Sequence, residues 1–501
     1  MKQIVLLGVI ITLLAGCSMA PRPLALHEVE QRSYQDLSAA LEMQEPVNGP
    51  ISLYGAMARA LKYNLEGRLK LMETSLALEQ KKVTSFEMLP KLVTSAGYKS
   101  RDNYSGSSSM ALEGPNKGNE SLVSSTSQEK ESVTSDVTLM WNILDFGLSY
   151  VRAKQEGDKV LIAEEHKRKT IQNIIQQVRT AYWKAASSEV LLAELNLLLA
   201  DTRSALERSR QIEREGLAKP RQSLEYQRTL LENIGFIKGA IQQMHDARAE
   251  LARLMNVSPS TPFTLVVPAT LAELPRISLD VEELERLALS QRPELREEDY
   301  RARITSLEAR KALLQAFPSL NLHAGFNTDT NSFLHNSQWW EAGARVSLNL
   351  FKLLSQPAIM RAVEAQQGVD SLRRQALSMA ILTQVHLAYN GFMQAREQFE
   401  LADQIEQVST RLSKLTLAEK QSSTGSDLEM IRSDTQAMAT KMRTMMSYAQ
   451  LQQSFSQVIN TVGIDVLPDK INDVPLAEIE ASLKESVVGI EGLLAQRAAN
   501  E

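Results

Sequence analysis

The stretch LMWNILDFG at residues 139–147 contains both of the patterns from which this chain is built. Its first residues complete an alternation of apolar and polar side chains, which predicts a β-strand, and its last residues begin a spacing that predicts a helix. A related stretch, SLNLFKLLS, occupies residues 347–355, with Asn349 in the place of Asn142, an offset of 207 residues (349 − 142). The strand-to-helix transition therefore occurs twice in the chain.

A second pair of matching segments lies upstream of these transitions. MLPKLVTSAGYKS and AFPSLNLHAGFNT align Pro90 with Pro318 and Gly97 with Gly325, an offset of 228 residues (318 − 90). The two offsets differ by 21 residues (228 − 207), which fall in the polar stretch 103–131, whose composition predicts a surface loop. We infer a duplicated half with the order helix, strand, loop, strand, long helix, tight turn and helix.

Four segments alternate between apolar and polar side chains, which predicts strands at about 89–102, 132–145, 317–329 and 338–351. An apolar face opposite a polar face suits a barrel wall with lipid outside and water inside. It equally suits a soluble antiparallel sheet with one buried face. Four strands are too few to enclose water, because small closed barrels begin at about eight strands. Three copies of the chain would supply twelve strands (3 × 4).

The rest of the chain predicts long helices. Between residues 171 and 206, apolar side chains follow alternating steps of three and four residues, which indicates coiled-coil-like packing. No proline occurs from 148 to 214, and a helix of that length would span about 100 Å at ~1.5 Å per residue. The second half predicts a corresponding long helix over about 358–420, and shorter helices flank both long ones.

The first residues have the form of a bacterial export signal. Lys2 precedes an apolar run at 4–15, which is too short to span a membrane as a helix, since spanning needs ~20 residues. The stretch LAGC, which ends at Cys17, resembles a lipobox, in which the peptide is cut before the cysteine and the cysteine is acylated. By the same resemblance, Ser18 favours sorting to the outer membrane. Cys17 is the one cysteine in the chain, so we predict lipid attachment there.

Composition argues against several classes of function. The net charge of −5 and the pI of about 5.9 leave no basic stripe, so we expect no nucleic-acid partner. The six histidines are scattered, and the chain has no metalloprotease, serine-hydrolase or phosphate-binding motif. We therefore predict no enzymatic activity, no cofactor and no metal site.

The order and spacing of these segments resemble the TolC-type outer-membrane factors, and within them the lipid-anchored OprM-like branch, over about residues 50–465. The resemblance rests on Pro90 and Pro318, on the strand-to-helix stretch 141–147, and on the turn-helix stretches 216–228 and 425–432. It implies a mainly helical fold with a membrane β part, in which three copies form a twelve-stranded barrel above a long helical periplasmic tube.

The same resemblance implies a function. The chain would form a homotrimeric exit duct in the outer membrane, serving a tripartite efflux or type I secretion system. A periplasmic adaptor and an inner-membrane pump would be its partners and would open its periplasmic tip. The duct would have no catalysis of its own.

In this family the tip closes like an iris, often with acidic rings after the second-half turn. That correspondence makes Asp427, Glu429 and Arg432 aperture candidates, although many relatives have a second aspartate where this chain has Arg432. Like charges gathered around a three-fold axis repel, and they can also bind a cation, so either effect could bias opening. The same stretch equally fits a capping box that simply starts a helix. In the first half, Glu225 and Arg228 are the matching candidates, and their spacing also suits a surface i, i+3 ion pair.

The sequence leaves one alternative open, a lipid-anchored periplasmic coiled-coil scaffold or adaptor without a membrane barrel. That alternative accounts for the anchor and the long helices. It has no need of four alternating strands, nor of the pair Trp339-Trp340 at a strand start, where the interface aromatics of a barrel lie.

The predicted organisation has five parts. They are a lipoprotein signal peptide at 1–16, a lipid-anchored linker at 17–50, a first repeat at 51–270, a second repeat at 271–466 and a C-terminal tail at 467–501. The tail is expected to contain a short amphipathic helix after Pro475.

Overall fold

The computed structural model describes residues 22–42, 44–108, 110, 112–115, 117–118, 123–216, 219–267, 274–422, 427–465 and 474–495. The elements of the first half are α1 (Leu26–Leu41), α2 (Leu53–Tyr63), α3 (Leu65–Phe86), β1 (Lys91–Ser100), β2 (Glu131–Asn142), α4 (Ile143–Arg214) and α5 (Pro220–Leu254). The elements of the second half are α6 (Val281–Gln291), α7 (Pro293–Leu314), β3 (Ser319–Asp329), β4 (Gln338–Ser347), α8 (Leu350–Gln421), α9 (Asp427–Val462) and α10 (Leu476–Ala495).

The four predicted strands form one antiparallel sheet in the order β1-β2-β3-β4. Its register places apolar residues opposite apolar residues, as in the pair of Val137 with Phe326. Phe326 in turn lies opposite Trp340, and the centroids of the two rings are 5.2 Å apart. The two faces of the predicted sheet are therefore both present, one apolar and one polar.

An asparagine caps the start of each long helix: Asn142 is the last residue of β2, and Asn349 lies two residues after the end of β4. The side-chain oxygen of Asn142 accepts a hydrogen bond from the Asp145 backbone N–H at 3.1 Å, and that of Asn349 accepts from the Phe351 N–H at 3.1 Å. These caps satisfy backbone donors that the first turn leaves without a partner. The two helices, α4 and α8, have 72 residues each, which is about 108 Å at ~1.5 Å per residue.

The predicted starts of both long helices were too late. The second was expected after Pro357, because proline lacks an N–H and usually marks a helix boundary. In the structure Pro357 lies inside α8. The asparagine cap, and not the proline, determines where the helix begins.

The helices pack side by side in four columns. The long helix α4 contacts α3 and α5 on one side and α7 and α9 on the other, and α8 packs against α7 and α9. The columns therefore run in the order α3 with α5, then α4, then α7 with α9, then α8. The shorter helices are arranged end to end, and the two pairs contain 57 (22 + 35) and 58 (22 + 36) residues, against 72 in each long helix.

The shorter helices meet end to end at two equivalent junctions. The amide of Asn64 donates to the carbonyl of Leu254 at 3.0 Å, which joins the start of α3 to the end of α5. In the second half the guanidinium of Arg292 donates to the carbonyl of Thr461 at 3.0 Å, which joins the start of α7 to the end of α9. Asn64 and Arg292 are again 228 residues apart (292 − 64), so the duplication extends to the junctions.

The largest hydrophobic core lies at this level, which we name the waist. It gathers residues from α2, α4, α6, α8, α9 and α10 around the aromatic side chains Tyr182, Trp183, Phe392, Tyr448 and Phe455. The predicted helix of the tail is present as α10, with 20 residues, and it packs five apolar side chains into the waist. These are Ile479, Leu483, Val487, Ile490 and Leu494.

A charged cluster lies beside the second junction. Burial raises the pKa of the Glu294 carboxyl, but Arg292 and Lys169, each 2.9 Å from it, outweigh that effect, so its pKa lies below the usual value. Glu294 therefore stays ionised near neutral pH and holds the two cations at the waist.

The predicted linker contains a helix that the sequence reading did not identify. Residues 26–41 form α1, whose first turn is closed by the Glu28 carboxylate, which accepts from the Ala25 N–H at 2.9 Å. Pro21 and Pro23 precede the helix in the sequence and do not interrupt it.

We predict that the tail helix stabilises the waist. The Leu483→Ala substitution removes a fully buried side chain, and it should lower the free energy of unfolding by about 2–5 kcal/mol because it leaves a cavity. Denaturant unfolding of the detergent-solubilised protein measures the change. The exposed Val488→Ala in the same helix is the matched control, and an equal effect of both substitutions would contradict the packing described here.

Candidate functional site

The polar face of the sheet is closely packed because glycines make room for neighbouring side chains. The imidazole of His323 lies over Gly343 on the adjacent strand, so close that a Cβ there would overlap the ring. A Cβ at Gly325 would lie 2.8 Å from the hydroxyl oxygen of Thr138. His323 and Thr138 therefore lie against glycines of the neighbouring strands on this face.

The apolar face of the sheet is exposed in the protomer. Trp340 is 80% exposed, Leu92 70% and Val346 68%. A soluble sheet would bury this face against another layer of the protein. Large apolar surfaces of this kind mark contact with a membrane or with another protein.

Both sides of the protomer are open. Within the described residues, β1 and β4 each pair with a strand on one side only. The helices at the two outer edges of the protomer also carry exposed apolar side chains. On one side these are Leu65, Leu69, Met72 and Leu76 of α3 and Leu224 and Leu231 of α5; on the other they are Leu372, Met379, Leu387, Leu401, Val408 and Leu412 of α8.

The structure brings the two turn-helix stretches to the same end of the helical columns. Ile431, at the start of α9, packs with Leu206 of α4 and Leu230 of α5. Glu429 and Arg432 flank Ile431 and are exposed. Asp427 is the first residue of α9, and its side chain lies outside the described part of the chain, as does all of Ser426.

The predicted ion pair between Glu225 and Arg228 is wrong. Glu225 instead pairs with Arg221 at 3.1 Å, and Arg228 pairs with Glu232 at 3.7 Å, both at the i, i+4 spacing. On a helix, residues four apart lie on one face just as residues three apart do. Arg221 and Glu232 can therefore compete with the pair of Glu225 and Arg228. All four side chains are largely exposed, and such pairs contribute ~1 kcal/mol or less.

Sequence reasoning missed a groove between the two helical hairpins. It has a volume of about 430 Å³ and lies among α4, α8 and α9. Four carboxylates line it, from Glu194, Asp201, Glu406 and Asp434, and Lys441 bonds Glu194 at 2.8 Å. Because these residues come from three helices, no local motif in the sequence could have indicated the groove.

Two other kinds of feature are absent from the described residues. No helix in those ranges is both long enough and apolar enough to cross a membrane. In the same part of the chain, no three His, Cys, Asp or Glu side chains are grouped so that they could hold a metal ion. The predicted lipid-attachment residue, Cys17, lies outside the described residues.

Known proteins share this architecture. Residues 70–257, which run from α3 through α5, match the family model for outer membrane efflux protein. The solved structure of the Campylobacter jejuni CmeC outer membrane channel is 14% identical, and the match covers 90% of this chain and 95% of that chain with a TM-score of 0.64. The chain has the fold of an outer-membrane efflux channel.

Other solved channels share this fold. The open state of the Neisseria gonorrhoeae MtrE outer membrane channel is 16% identical with a TM-score of 0.61, over 82% of this chain and 88% of that chain. A membrane protein from Pseudomonas aeruginosa is 16% identical with a TM-score of 0.62, over 82% and 90%. No curated protein sequence matches the chain.

We predict that Gly343 is required for the packing of the polar face. The Gly343→Ala substitution should lower the stability of the folded sheet by about 1–3 kcal/mol, because the new methyl group overlaps the His323 ring. The double substitution with His323→Ala should restore most of the loss. The gel shift between folded and heat-unfolded protein, followed against temperature, measures both effects, and failure of the double substitution to restore stability would contradict the contact.

Proposed function

We propose that this chain is the outer-membrane exit duct of a tripartite efflux system and that three copies form it. In this proposal the duct belongs to the lipid-anchored OprM-like branch, and its helical part extends through the periplasm. The observation that carries the proposal is the protomer's four-stranded amphipathic sheet, whose apolar face is exposed and whose two edges are open.

Ring closure follows from the difference between the two edges. A contact of β4 with β1 of the next copy joins two different strands and is therefore heterologous. Such contacts form a closed ring when the rotation between copies returns to its start. Three copies give twelve strands, enough for a water-filled barrel. Below the sheet, the same rotation brings the exposed stripe of α8 against α3 and α5 of the next copy.

The two faces of the sheet then acquire separate roles. The apolar face, with Leu92, Trp340 and Val346, contacts lipid, and the polar face, with His323 and Thr138, lines the passage. Trp339 and Trp340 lie at the start of β4, where aromatic side chains suit the boundary between membrane and water.

The scaffold or adaptor alternative is disfavoured by the exposed apolar face. A soluble coiled-coil protein would gain nothing from a tryptophan that is 80% exposed on a sheet, since exposed apolar patches promote aggregation. An anchored scaffold would become soluble once Cys17 was replaced, whereas a barrel would still require detergent.

The acidic groove between the hairpins supports a docking role for the periplasmic adaptor. Its carboxylates outnumber its cations by four to one, so it suits a helical partner that presents basic side chains. The groove lies toward the tip, because Glu194 is in the last third of α4 and Asp434 is seven residues after the start of α9.

Three further assignments belong to the same proposal. Cys17 carries the lipid anchor, and residues 51–270 and 271–466 are the two repeats of a duplicated unit. The aperture at the tip is formed by the starts of α9 and α5, with Asp427, Glu429 and Arg432 from the second half and Glu225 and Arg228 from the first.

A deletion strain tests the proposed function. Loss of the gene should increase susceptibility to dyes, antibiotics, bile salts or metals while leaving the secreted proteins unchanged. Loss of one large secreted protein with unchanged susceptibility would instead assign the duct to a type I secretion system. A strain unchanged in both measurements, when no second duct of this fold is encoded in it, would contradict the proposal.

Charge reversal in the groove tests the docking role. The pair of substitutions Glu406→Lys and Asp434→Lys should increase drug susceptibility several-fold without reducing the amount of trimer, because it repels a basic partner. Glu207→Lys is the matched control, since Glu207 lies on α4 outside the groove and pairs with Arg210. An equal loss of efflux in the control would contradict a specific contact in the groove.

A further inference from the structure

A cavity of about 460 Å³ lies where the sheet meets the helices. It is lined by Lys91 of β1, by Arg345 of β4, by residues of β2 and β3 between them, and by Met88 in the turn after α3. Cavities that bind small organic molecules have volumes of about 300–1,000 Å³. This cavity is therefore large enough for a molecule of that class.

The strand register places the two cations of the cavity on the polar face of the sheet. Lys91 lies opposite Met140, and Met140 lies opposite His323. Arg345 lies opposite Asn321, which is two residues from His323 along β3 (323 − 321). Because side chains alternate along a strand, residues two apart share a face. Both cations therefore project from the face that His323 occupies.

The positive charge of the cavity is not compensated within it. Lys91 and Arg345 are exposed, and in the described part of the chain neither forms an ion pair. Two carboxylates also line the cavity, but Glu87 is 2.7 Å from the guanidinium of Arg152. The other, Asp145, lies in the first turn of α4, where the positive end of the helix dipole offsets its charge. An anionic ligand would therefore meet two free cations.

Apolar side chains line another part of the cavity. They are Met88 and Leu89 before β1, Met140 in β2 and Phe146 in α4. Leu89, Met140 and Phe146 are exposed, so their surfaces are available to the apolar part of a ligand. The cavity thus combines positive charge with apolar surface.

We propose that this cavity binds an amphipathic organic anion, a small molecule with a carboxylate or sulfonate on an apolar body, as it passes through the duct. Lys91 and Arg345 supply charge-assisted hydrogen bonds for the anionic group. Met88, Met140 and Phe146 contact the apolar body, whose burial adds a contribution that an inorganic anion lacks. The site rests on the proposed function, because the polar face lines a passage only in the ring, and it names a class of cargo for that duct.

The proposed ring repeats the cavity three times around the passage. Lys91 and Arg345 lie on the two edge strands, so the pairing of β4 with β1 brings Arg345 of one protomer to the same seam as Lys91 of the partner subunit. Six cations (3 × 2) then surround the base of the barrel. A passage lined by one sign of charge concentrates ions of the opposite sign, although the chain as a whole has a net charge of −5.

Equilibrium dialysis of the full-length trimer in phosphatidylcholine nanodiscs tests the site, with naphthalene-1-sulfonate as the probe and empty nanodiscs as the blank. Binding should be saturable, and the pair Lys91→Gln and Arg345→Gln should weaken it by about tenfold or more, because it removes charged hydrogen-bond donors. Lys99→Gln is the matched control, since Lys99 lies on β1 outside the cavity. If the double variant forms no trimer, Lys91→Gln alone should weaken binding in the same direction.

Four results would overturn the site. They are no saturable binding, equal binding by the double variant, an equal loss in Lys99→Gln, and equal affinity for 1-naphthylmethylammonium, which has the same rings and the opposite charge. Native mass spectrometry of the sample separates the two proposals. A sample without trimers contradicts the proposed function, whereas a trimer that does not bind the probe contradicts only the site.

The lipid of the nanodisc distinguishes cargo from an anionic headgroup as the occupant. Because the polar face is turned to the passage, replacing phosphatidylcholine by phosphatidylglycerol should leave the affinity for naphthalene-1-sulfonate unchanged. A marked loss of affinity in phosphatidylglycerol would show that lipid headgroups occupy the cavity, and it would overturn the assignment to cargo.

A complementation experiment tests the class of cargo in cells. In the deletion strain, the gene with Lys91→Gln and Arg345→Gln should leave susceptibility to deoxycholate, an amphipathic carboxylate, several-fold higher than the wild-type gene does. Resistance to ethidium, an apolar cation, should be restored equally by both genes. With equal amounts of trimer, equal changes for both compounds or no change for either would contradict the proposed selectivity.

Discussion

A four-stranded sheet with two open edges and an exposed apolar face is the constraint on which the rest of this structure depends. Open edges leave backbone donors and acceptors without partners, and inside a membrane each such group costs several kcal/mol. One protomer cannot satisfy these groups by itself, since the sheet is too narrow to close. In the proposed trimer, the pairing of β4 with β1 of another copy satisfies them, and the same rotation covers the apolar edges of the helical columns.

The long helices continue from the sheet toward the tip. Each begins at an asparagine cap at or just after the end of a strand. The shorter helices are joined at Asn64 and Arg292, so that each pair forms one column beside a long helix. The largest core lies at these junctions, where the tail helix α10 adds a further layer.

Much of the fold could be predicted because the chain repeats itself. The alternation in all four strands is regular, and Asn349 stands where Asn142 stands, so one half supports the interpretation of the other. Helix α1 was missed because two prolines precede it and its apolar stripe is interrupted by Glu30. The pairing of Glu225 with Arg221 was missed because spacing alone does not decide between competing partners. The groove at Glu194 and Asp434 depends on packing between the two halves, which no local pattern encodes.

The central claim is that three copies of this chain close one ring around a single passage. Cryo-electron microscopy of the detergent-solubilised full-length protein tests that claim most directly. We predict a three-fold symmetric particle in which β4 of each protomer pairs with β1 of the next and twelve strands surround one opening. A monomer with an unclosed sheet, or a two-fold dimer that buries the apolar faces of its sheets against each other, would contradict it.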